Sequence, residues 1–540
     1  MAKSPNIIGI DEERMCSREK HTRGRLIDGK RPTTGNRRTN GAMFRLRMAR
    51  SPVMARKAKL AAVAIAFLFL STLAIVIVPG RVSLKLPAET LAGPGWGTSA
   101  LLETGSLTAE YPEVAVDGAG NAIAIWIQSN GTDDRIWSNR YEVGVGWGNP
   151  EIVDAGGSSI YSDAPQIAMD GSGNAIAVWS QYYHSQNIFS RRYVVGSGWG
   201  TVEHVEENIY GSYSPRVAMN SEGAAVVVWE MGVEIWSNRY EVGTGWGSPE
   251  RVHRPVSGSH GPYVGVAMDG EGNAFCVWSQ YDGSNYENVS ARRYDVVSGW
   301  GTTQLLETDD LLDRAWGVDV AADSLGNAVA IWDQYNNSDY EHRSIFTSRY
   351  AFGSGWEPAQ LLGANDSSSE SYPQVAMDDG GNATAIWSRY DGATSSNISA
   401  SRYVAGSGWG AIELVSENVE WCECPQIAID GAGNAVAVWC QWQNSRNDIW
   451  SNHYVMESGW GTPVLVETED SASFYDPRVG VDSLGNAIAV WHQSDGAVDH
   501  IWSNRYETSV IPEFQEVIMP LMGIATVFLV CFFDRRRRNP

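Results

Sequence analysis

Residues Pro112 to Asp154 read PEVAVDGAGNAIAIWIQSNGTDDRIWSNRYEVGVGWGNPEIVD, and the chain repeats this sentence eight times with small changes. Its GWG tryptophan, Trp147, recurs as Trp96, Trp199, Trp246, Trp300, Trp356, Trp409 and Trp460. The GNAxAxW phrase ends in Trp126, Trp179, Trp229, Trp278, Trp332, Trp387, Trp439 and Trp491. A third phrase, IWSNRY or a close variant, ends at Tyr141, Tyr193, Tyr240, Tyr294, Tyr350, Tyr403, Tyr454 and Tyr506. Equivalent tryptophans lie 47 to 56 residues apart. A steady period of that size marks a solenoid or a propeller.

Within one period, PEVAVD and NAIAIW alternate apolar and other residues and are rich in Val, Ile and Trp, so they read as strands A and B. The DGAGN between them is a tight hairpin, because Gly and Asn accept the positive φ that such turns need. IWSNRYE is strand C, and GVGWG turns it into strand D, PEIVD. Helical periodicity is absent. Four short antiparallel strands per period make one propeller blade.

The ends of the array decide how it closes. Gly93 to Glu103, GPGWGTSALLE, is a turn and a strand D with no A, B or C before it. The last repeat stops after strand C, IWSNRYET, at Thr508. Each orphan completes the other, and pairing them removes two open sheet edges. The expected fold is all-β: an eight-bladed β-propeller of four-stranded antiparallel blades over 93–508, closed by an N-terminal outer strand. Two stacked smaller rings are the rival arrangement.

The C–D turn resembles the Asp-box turn of sialidase-type (BNR-repeat) propellers, SxDxGxxW. Gly144, Gly196, Gly243, Gly353 and Gly406 stand three residues before their Trp, as in that motif. The motif's Asp position holds Glu142, Glu241 and Asp295, but also Val194, Ala351, Val404 and Val455. The resemblance implies the blade topology rather than an activity.

The chain carries 40 Lys+Arg against 63 Asp+Glu. Between Gly80 and Val510 there are 20 basic residues, of which only Lys85 is a lysine. Such an acidic body repels nucleic acid and anionic membrane surfaces, and nucleic acid is not an expected partner. Residues 1–57 are basic, polar and aperiodic, the pattern of a disordered segment. We expect translation to start at Met43, Met48 or Met54, with the preceding residues a gene-model artefact. Within 58–80, Leu60 to Val78 is 19 residues without a charge. It reads as the apolar helix of a signal peptide or signal anchor.

Residues 511–540 form the other terminal segment. Pro512, Glu513 and Phe514 precede 17 uncharged residues, Val517 to Phe533, and then Asp534 to Arg538, DRRRR. This is a minimal membrane helix with a basic cytoplasmic stop. Its three-part layout resembles the archaeal PEF-type C-terminal sorting signal. That resemblance implies export, processing by an archaeosortase and attachment at the cell surface. A plain tail anchor is the alternative, and both place the array outside the cell.

An external location directs attention to six N-x-S/T sequons, at Asn130, Asn288, Asn336, Asn365, Asn382 and Asn397. It also permits a disulfide. A symmetric hairpin at Asp430–Asn434 sets Cys424 opposite Cys440, within bridging reach. Metal binding by the CEC at Cys422–Cys424 is not expected, since no His clusters nearby, and no cofactor is expected.

A sialidase needs an arginine cluster, a Tyr/Glu pair and an acid Asp. Arg140, Arg192, Arg239, Arg293, Arg349, Arg402 and Arg505 recur at one position of strand C, and repetition argues for blade-to-blade packing over catalysis. Arg216 in SPRVAM and Arg478 in DPRVGV only loosely resemble the sialidase RIP sequence, because their Pro precedes the Arg. The DGxGN hairpins lack the alternating Asp/Asn ligands of a calcium loop.

In a meander the A–B and C–D turns share one face, and here they are nearly constant. The B–C and D–A loops share the other and vary in length and polarity, which is where binding resides. Tyr182, Tyr281, Tyr335, Tyr390 and Trp442 stand three residues after the strand-B Trp, and Tyr111, Tyr213, Tyr372, Trp421 and Tyr475 precede strand A. We expect the first five to be ligand-binding aromatics for a glycan or an extracellular protein, in a non-catalytic adhesion module. A sialidase-like glycan-processing enzyme and a passive cell-envelope component are the alternatives.

Overall fold

Seven of the eight A–B hairpins are held by their own aspartate, and repeat 3 uses Asn220 in its place. In repeat 1, Asp117 Oδ1 accepts the N–H groups of Ala119 (2.9 Å) and Asn121 (2.8 Å), while Asn121 Nδ2 donates to Asp117 Oδ2 (2.8 Å). Asn121 Oδ1 then accepts the N–H of Val143 in the C–D turn at 3.1 Å. The same Asp–Asn bracket recurs at Asp170, Asp269, Asp323, Asp378, Asp430 and Asp482, so the two turns at one end of seven repeats are locked together. The DGAGN and GWG phrases are therefore one hydrogen-bonded unit.

The computed structural model describes residues 94–508, apart from short segments in the B–C and D–A loops, together with the stretches 16–17, 76–78 and 81–83. The chain divides into two units, Met1–Glu19 with Pro94–Thr508, and Lys20–Gly93 with Ser509–Pro540. Among the described residues there is no helix. In the second unit, Val76–Val78 pairs antiparallel with Arg81–Ser83. For these three residues, all β-branched, the expected apolar helix is corrected to a strand. The rest of Leu60–Val78, residues 1–15 and 18–57, and the whole of 511–540 lie outside the described residues.

The first unit is a propeller-like series of antiparallel meanders. Repeat 1 runs A (Ala109–Val116), B (Ala122–Ser129), C (Asp134–Glu142) and a strand D in two pieces, Gly146–Trp147 and Glu151–Ile152. Strand D breaks because the buried Asn139 side chain bridges the gap, donating to Gly148 O (3.3 Å) and to Leu102 O (3.0 Å). Strand C of the last repeat, Asp499–Glu507, is paired by the N-terminal Gly95–Trp96 and Ala100–Leu101. Trp96 stands opposite Tyr506 and Leu101 opposite Trp502.

The remaining letters of the repeat are spent on the contact between neighbouring sheets. The strand-B tryptophans are fully buried. Ala122, Ala124 and Trp126 pack with Ile488, Val490 and Ile501 of repeat 8, while Ile123 and Ile125 pack with Ala175, Ala177 and Trp179 of repeat 2. Small residues on one face thus receive large ones from the next sheet, which is why the phrase alternates Ala with Ile or Val. Strand-C serines accept from the neighbour's GWG indole, as in Trp199 to Ser138 (3.0 Å), Trp246 to Ser190 (2.8 Å) and Trp96 to Ser451 (2.6 Å).

The repeated arginine has the packing role expected, against Tyr rather than Trp. Arg140, Arg192, Arg239, Arg293, Arg349 and Arg402 each lie 5.0–5.8 Å from the ring centre of the next repeat's Tyr. Repeat 7 substitutes His453, stacked on Tyr506 at 3.7 Å. Arg505 of repeat 8 lies 5.3 Å from Tyr141 of repeat 1 and donates to its hydroxyl at 2.8 Å.

Candidate functional site

Strand A carries a bulge that the straight hairpin reading lacks. Its register against strand B slips by one residue between Glu110 and Glu113, and at the matching place in repeats 2, 3, 5, 6, 7 and 8. The bulged residues Tyr111, Ala164, Ser214, Tyr372, Cys424 and Asp476 have φ between 49° and 55°, a left-handed conformation that costs a non-glycine residue energy. Each is followed by a proline, whose missing N–H is no loss where the ladder is interrupted. Repeat 5 uses Gly317, φ 53°, at this place.

The bulge redirects the next side chains toward a cavity of about 490 Å³, which receives strand-A residues from all eight repeats. The position following the proline, or following Val264 and Val318 in repeats 4 and 5, is the one the repeat does not keep: Glu113, Gln166, Arg216, Gly265, Asp319, Gln374, Gln426 and Arg478. Arg478 Nε meets Glu113 Oε1 at 3.0 Å, and Gln166 Nε2 donates to the same oxygen at 2.9 Å. Asp319 accepts the N–H of Val375 and of Val320, both at 2.9 Å, and burial still pushes its carboxyl up to about 6. Burial pushes Glu230 up to about 7, against the pull of the Ser214 hydroxyl and the Arg216 charge. Arg216 is open to water inside the cavity, yet enclosed by protein that depresses its guanidinium. Its Nη1 donates to the carbonyl of Pro215 at 3.4 Å. Sequence reading noticed Arg216 and Arg478 and missed the set; the signal was one variable position, polar in seven repeats, after a proline kept in six.

The five expected aromatics do not share one site. None lines the strand-A cavity, to which Tyr263 and Tyr372 contribute instead. Tyr182 is exposed and directly opposite the exposed Tyr161. Tyr335 meets Trp316 edge-on at 5.5 Å, with Arg343 over the indole at 5.2 Å. Tyr390 meets Trp421 at 5.4 Å, and Trp421 stands opposite Trp442. Tyr281 ends strand B of repeat 4, opposite Glu287. Four of the five aromatics therefore form separate groups at the loop ends of different sheets, each group joining strand-B to strand-A residues.

One group borders a cleft between repeats 1 and 2. Its volume is about 360 Å³, and Tyr111, Tyr161, Glu110, Asp134, Asp163 and Gln186 line it. Burial raises the Glu110 carboxyl above its ordinary range, and the charges of Asp499, Asp134 and Asp476 add to the shift. Burial, Glu110, Asp476 and Asp163 also raise the Tyr111 phenol. A flat ring beside acceptor-rich side chains suits a ligand with an apolar C–H face and donating hydroxyl or amino groups; it disfavours an anion.

The expected Cys424–Cys440 bridge is corrected. Both are free thiols, and the bulge places Glu423, not Cys424, opposite Cys440. Burial raises both thiols, Cys424 up to about 11. Of the sequons, Asn130 is exposed, and its Oδ1 accepts from Thr132 Oγ1 at 2.8 Å. Asn288 and Asn397 lie within strand C of their repeats, and the Asn382 amide is committed to Asp378 in an A–B turn. Asn336, Asn365 and the sorting residues Pro512, Glu513 and Phe514 lie outside the described residues.

No family description matches the sequence, and no curated protein is similar to it. Among solved structures, a lectin from Burkholderia pseudomallei matches with a TM-score of 0.45 at 9% identity, over 68% of this chain and 100% of its own. A protein of unknown function from Dyadobacter fermentans matches at 0.42 and 10% identity, over 77% and 99%. A Hadza microbial sialidase matches at 0.34 and 12% identity, over 63% and 77%.

Proposed function

We propose that the eight repeats are the blades of one ring, closed by the N-terminal strand, and that the ring is a non-catalytic binding module displayed at the cell surface. Its ligand is a carbohydrate chain, neutral or amine-bearing, held at the loop-face clefts between blades. The observation that carries this reading is the exposed Tyr161–Tyr182 pair beside a cleft rich in carboxylates. Aromatic faces stack on sugar rings while carboxylate and amide groups orient hydroxyls, and repetition around a ring offers several weak sites at once. In this reading the terminal apolar segments hold the chain in the membrane, with the PEF-type tail as an archaeosortase substrate, and exposed sequons such as Asn130 carry glycans.

A carbohydrate array probed with the full chain and with Tyr161→Ala/Tyr182→Ala tests it. We expect selective binding that the double substitution weakens tenfold or more. Unchanged binding by the variant, or binding only to acidic glycans, contradicts the assignment.

A second reading, a glycan-processing enzyme, draws on a different observation. The strand-A cavity holds a non-repeated set, Arg216, Asp319 and nearby Glu230, with one carboxyl pushed up to about 7, the range of a proton donor at neutral pH. Turnover of a bound oligosaccharide that disappears in Glu230→Gln would favour the enzyme.

A further inference from the structure

The face opposite the loops carries its own pattern, which the binding reading does not use. Its C–D and A–B turns present apolar side chains to solvent in repeat after repeat. Val145 is 79% exposed, Val297 91%, Leu325 67%, Phe352 63% and Leu484 74%. Val143, Val242 and Met456 stand out from the same turns. Turn tips of a soluble domain favour polar residues, so apolar tips on one face mark a surface that meets something.

The chain itself says what that is. Gly95 pairs with Glu507, so the place of the eighth C–D turn is taken by the chain entering at Pro94 and leaving at Thr508. Both ends therefore leave from the apolar-tipped face. Eight residues, 509–516, separate Thr508 from the uncharged stretch Val517–Phe533. Fully extended they span at most roughly 30 Å, so the start of an inserted stretch stays close to this face. The charges on the face fit an uncharged lipid surface. Arg140, Arg239, Arg293 and Arg505 neutralise Glu142 (3.1 Å), Glu241 (2.5 Å), Asp295 (3.5 Å) and Glu507 (3.3 Å). Glu222, Glu271, Asp379 and Glu457 on the same turns select against anionic headgroups.

We infer that the A–B/C–D turn face rests on a zwitterionic bilayer surface, its Val, Leu and Phe tips in the headgroup region, and that the loop face points away from the membrane. This rests on the reading of the terminal apolar segments as membrane anchors. The full chain is reconstituted into phosphatidylcholine vesicles in a Cys16→Ser/Cys424→Ser/Cys531→Ser background. One environment-sensitive fluorophore is attached at Val297→Cys or Leu484→Cys on the turn face, or at Thr132→Cys on the loop face. Flotation reports anchoring, and quenching by nitroxide-bearing phosphatidylcholine reports proximity. We expect flotation, with the two turn-face labels quenched several-fold more than the loop-face label. Flotation with equal quenching, or with the loop-face label quenched more, overturns the orientation and leaves anchoring intact. Failure to float overturns the anchor and the orientation with it.

Discussion

The repeated letters of this chain are side-chain contacts before they are strands. Ser, Asn, Arg and Tyr of IWSNRY accept a neighbour's indole, bridge a broken strand D, stack on the next tyrosine and meet the repeat's own GWG tryptophan at 5.4–5.7 Å. The Arg505–Tyr141 contact makes this testable, because its partners are 364 residues apart. A double-mutant cycle on Arg505→Ala and Tyr141→Ala should give a coupling of about 0.5–2 kcal/mol in urea unfolding, and a coupling of zero would place the two residues apart. Glu467 supplies a second prediction. Burial, and then the like charge of Asp448, push its carboxyl up to about 8 from an ordinary 4.5. Between those values the folded chain keeps a proton that the unfolded chain releases, so this group lowers stability as pH rises through the window and adds nothing further above about 8. Glu467→Gln should match the parent near pH 4.5 and exceed it by a few kcal/mol at most near pH 8.5. Urea midpoints that keep the same separation at both pH values would contradict this.

At the scale of the element, strand identity was legible and strand register was not. Alternation of Ala with Ile or Val, and Trp at a fixed place, give strand B without ambiguity, since only a strand sets those residues on opposite faces. The bulge in strand A left a weaker mark, a proline shared by six of the eight repeats, and the straight-hairpin reading runs across it. That assumption set Cys424 against Cys440, one residue out of register, and hid the convergence of Glu113, Arg216, Asp319 and Arg478 on one cavity. The five loop-face aromatics were legible as exposed candidates, but not as separate cross-strand groups, because pairing depends on where each bulge ends. Ala164, at φ 50°, tests the bulge directly. Ala164→Gly relieves about 1–2 kcal/mol of left-handed strain but adds about 0.5–1 kcal/mol of unfolded-state freedom, so it should equal the parent or exceed it by up to about 1.5 kcal/mol. Ala164→Val should be less stable than the parent, because a β-branched residue resists this φ. The opposite order in urea unfolding would remove the bulge from repeat 2.

For the whole molecule, the account depends on the first strand after Gly93 belonging to the last sheet. The orphan strand D at one end of the sequence and the orphan strand C at the other were the clue. The pairing of Trp96 with Tyr506, the indole of Trp96 on Ser451 and the shared core of Leu102, Trp126 and Ile501 supply the contacts. In the proposed ring the variable loops share one face, and Pro94 and Thr508 lie on the other. Gly95 and Glu507 are directly opposed, at a separation that a disulfide spans. Oxidising the full-length Gly95→Cys/Glu507→Cys variant and identifying its cross-linked peptides by mass spectrometry is the most direct measurement. A closed ring gives one intramolecular bridge joining peptides of the first and last strands, in a monomer that unfolds at a higher temperature than its reduced form. Reduced thiols, or bridges formed only between molecules, would contradict it.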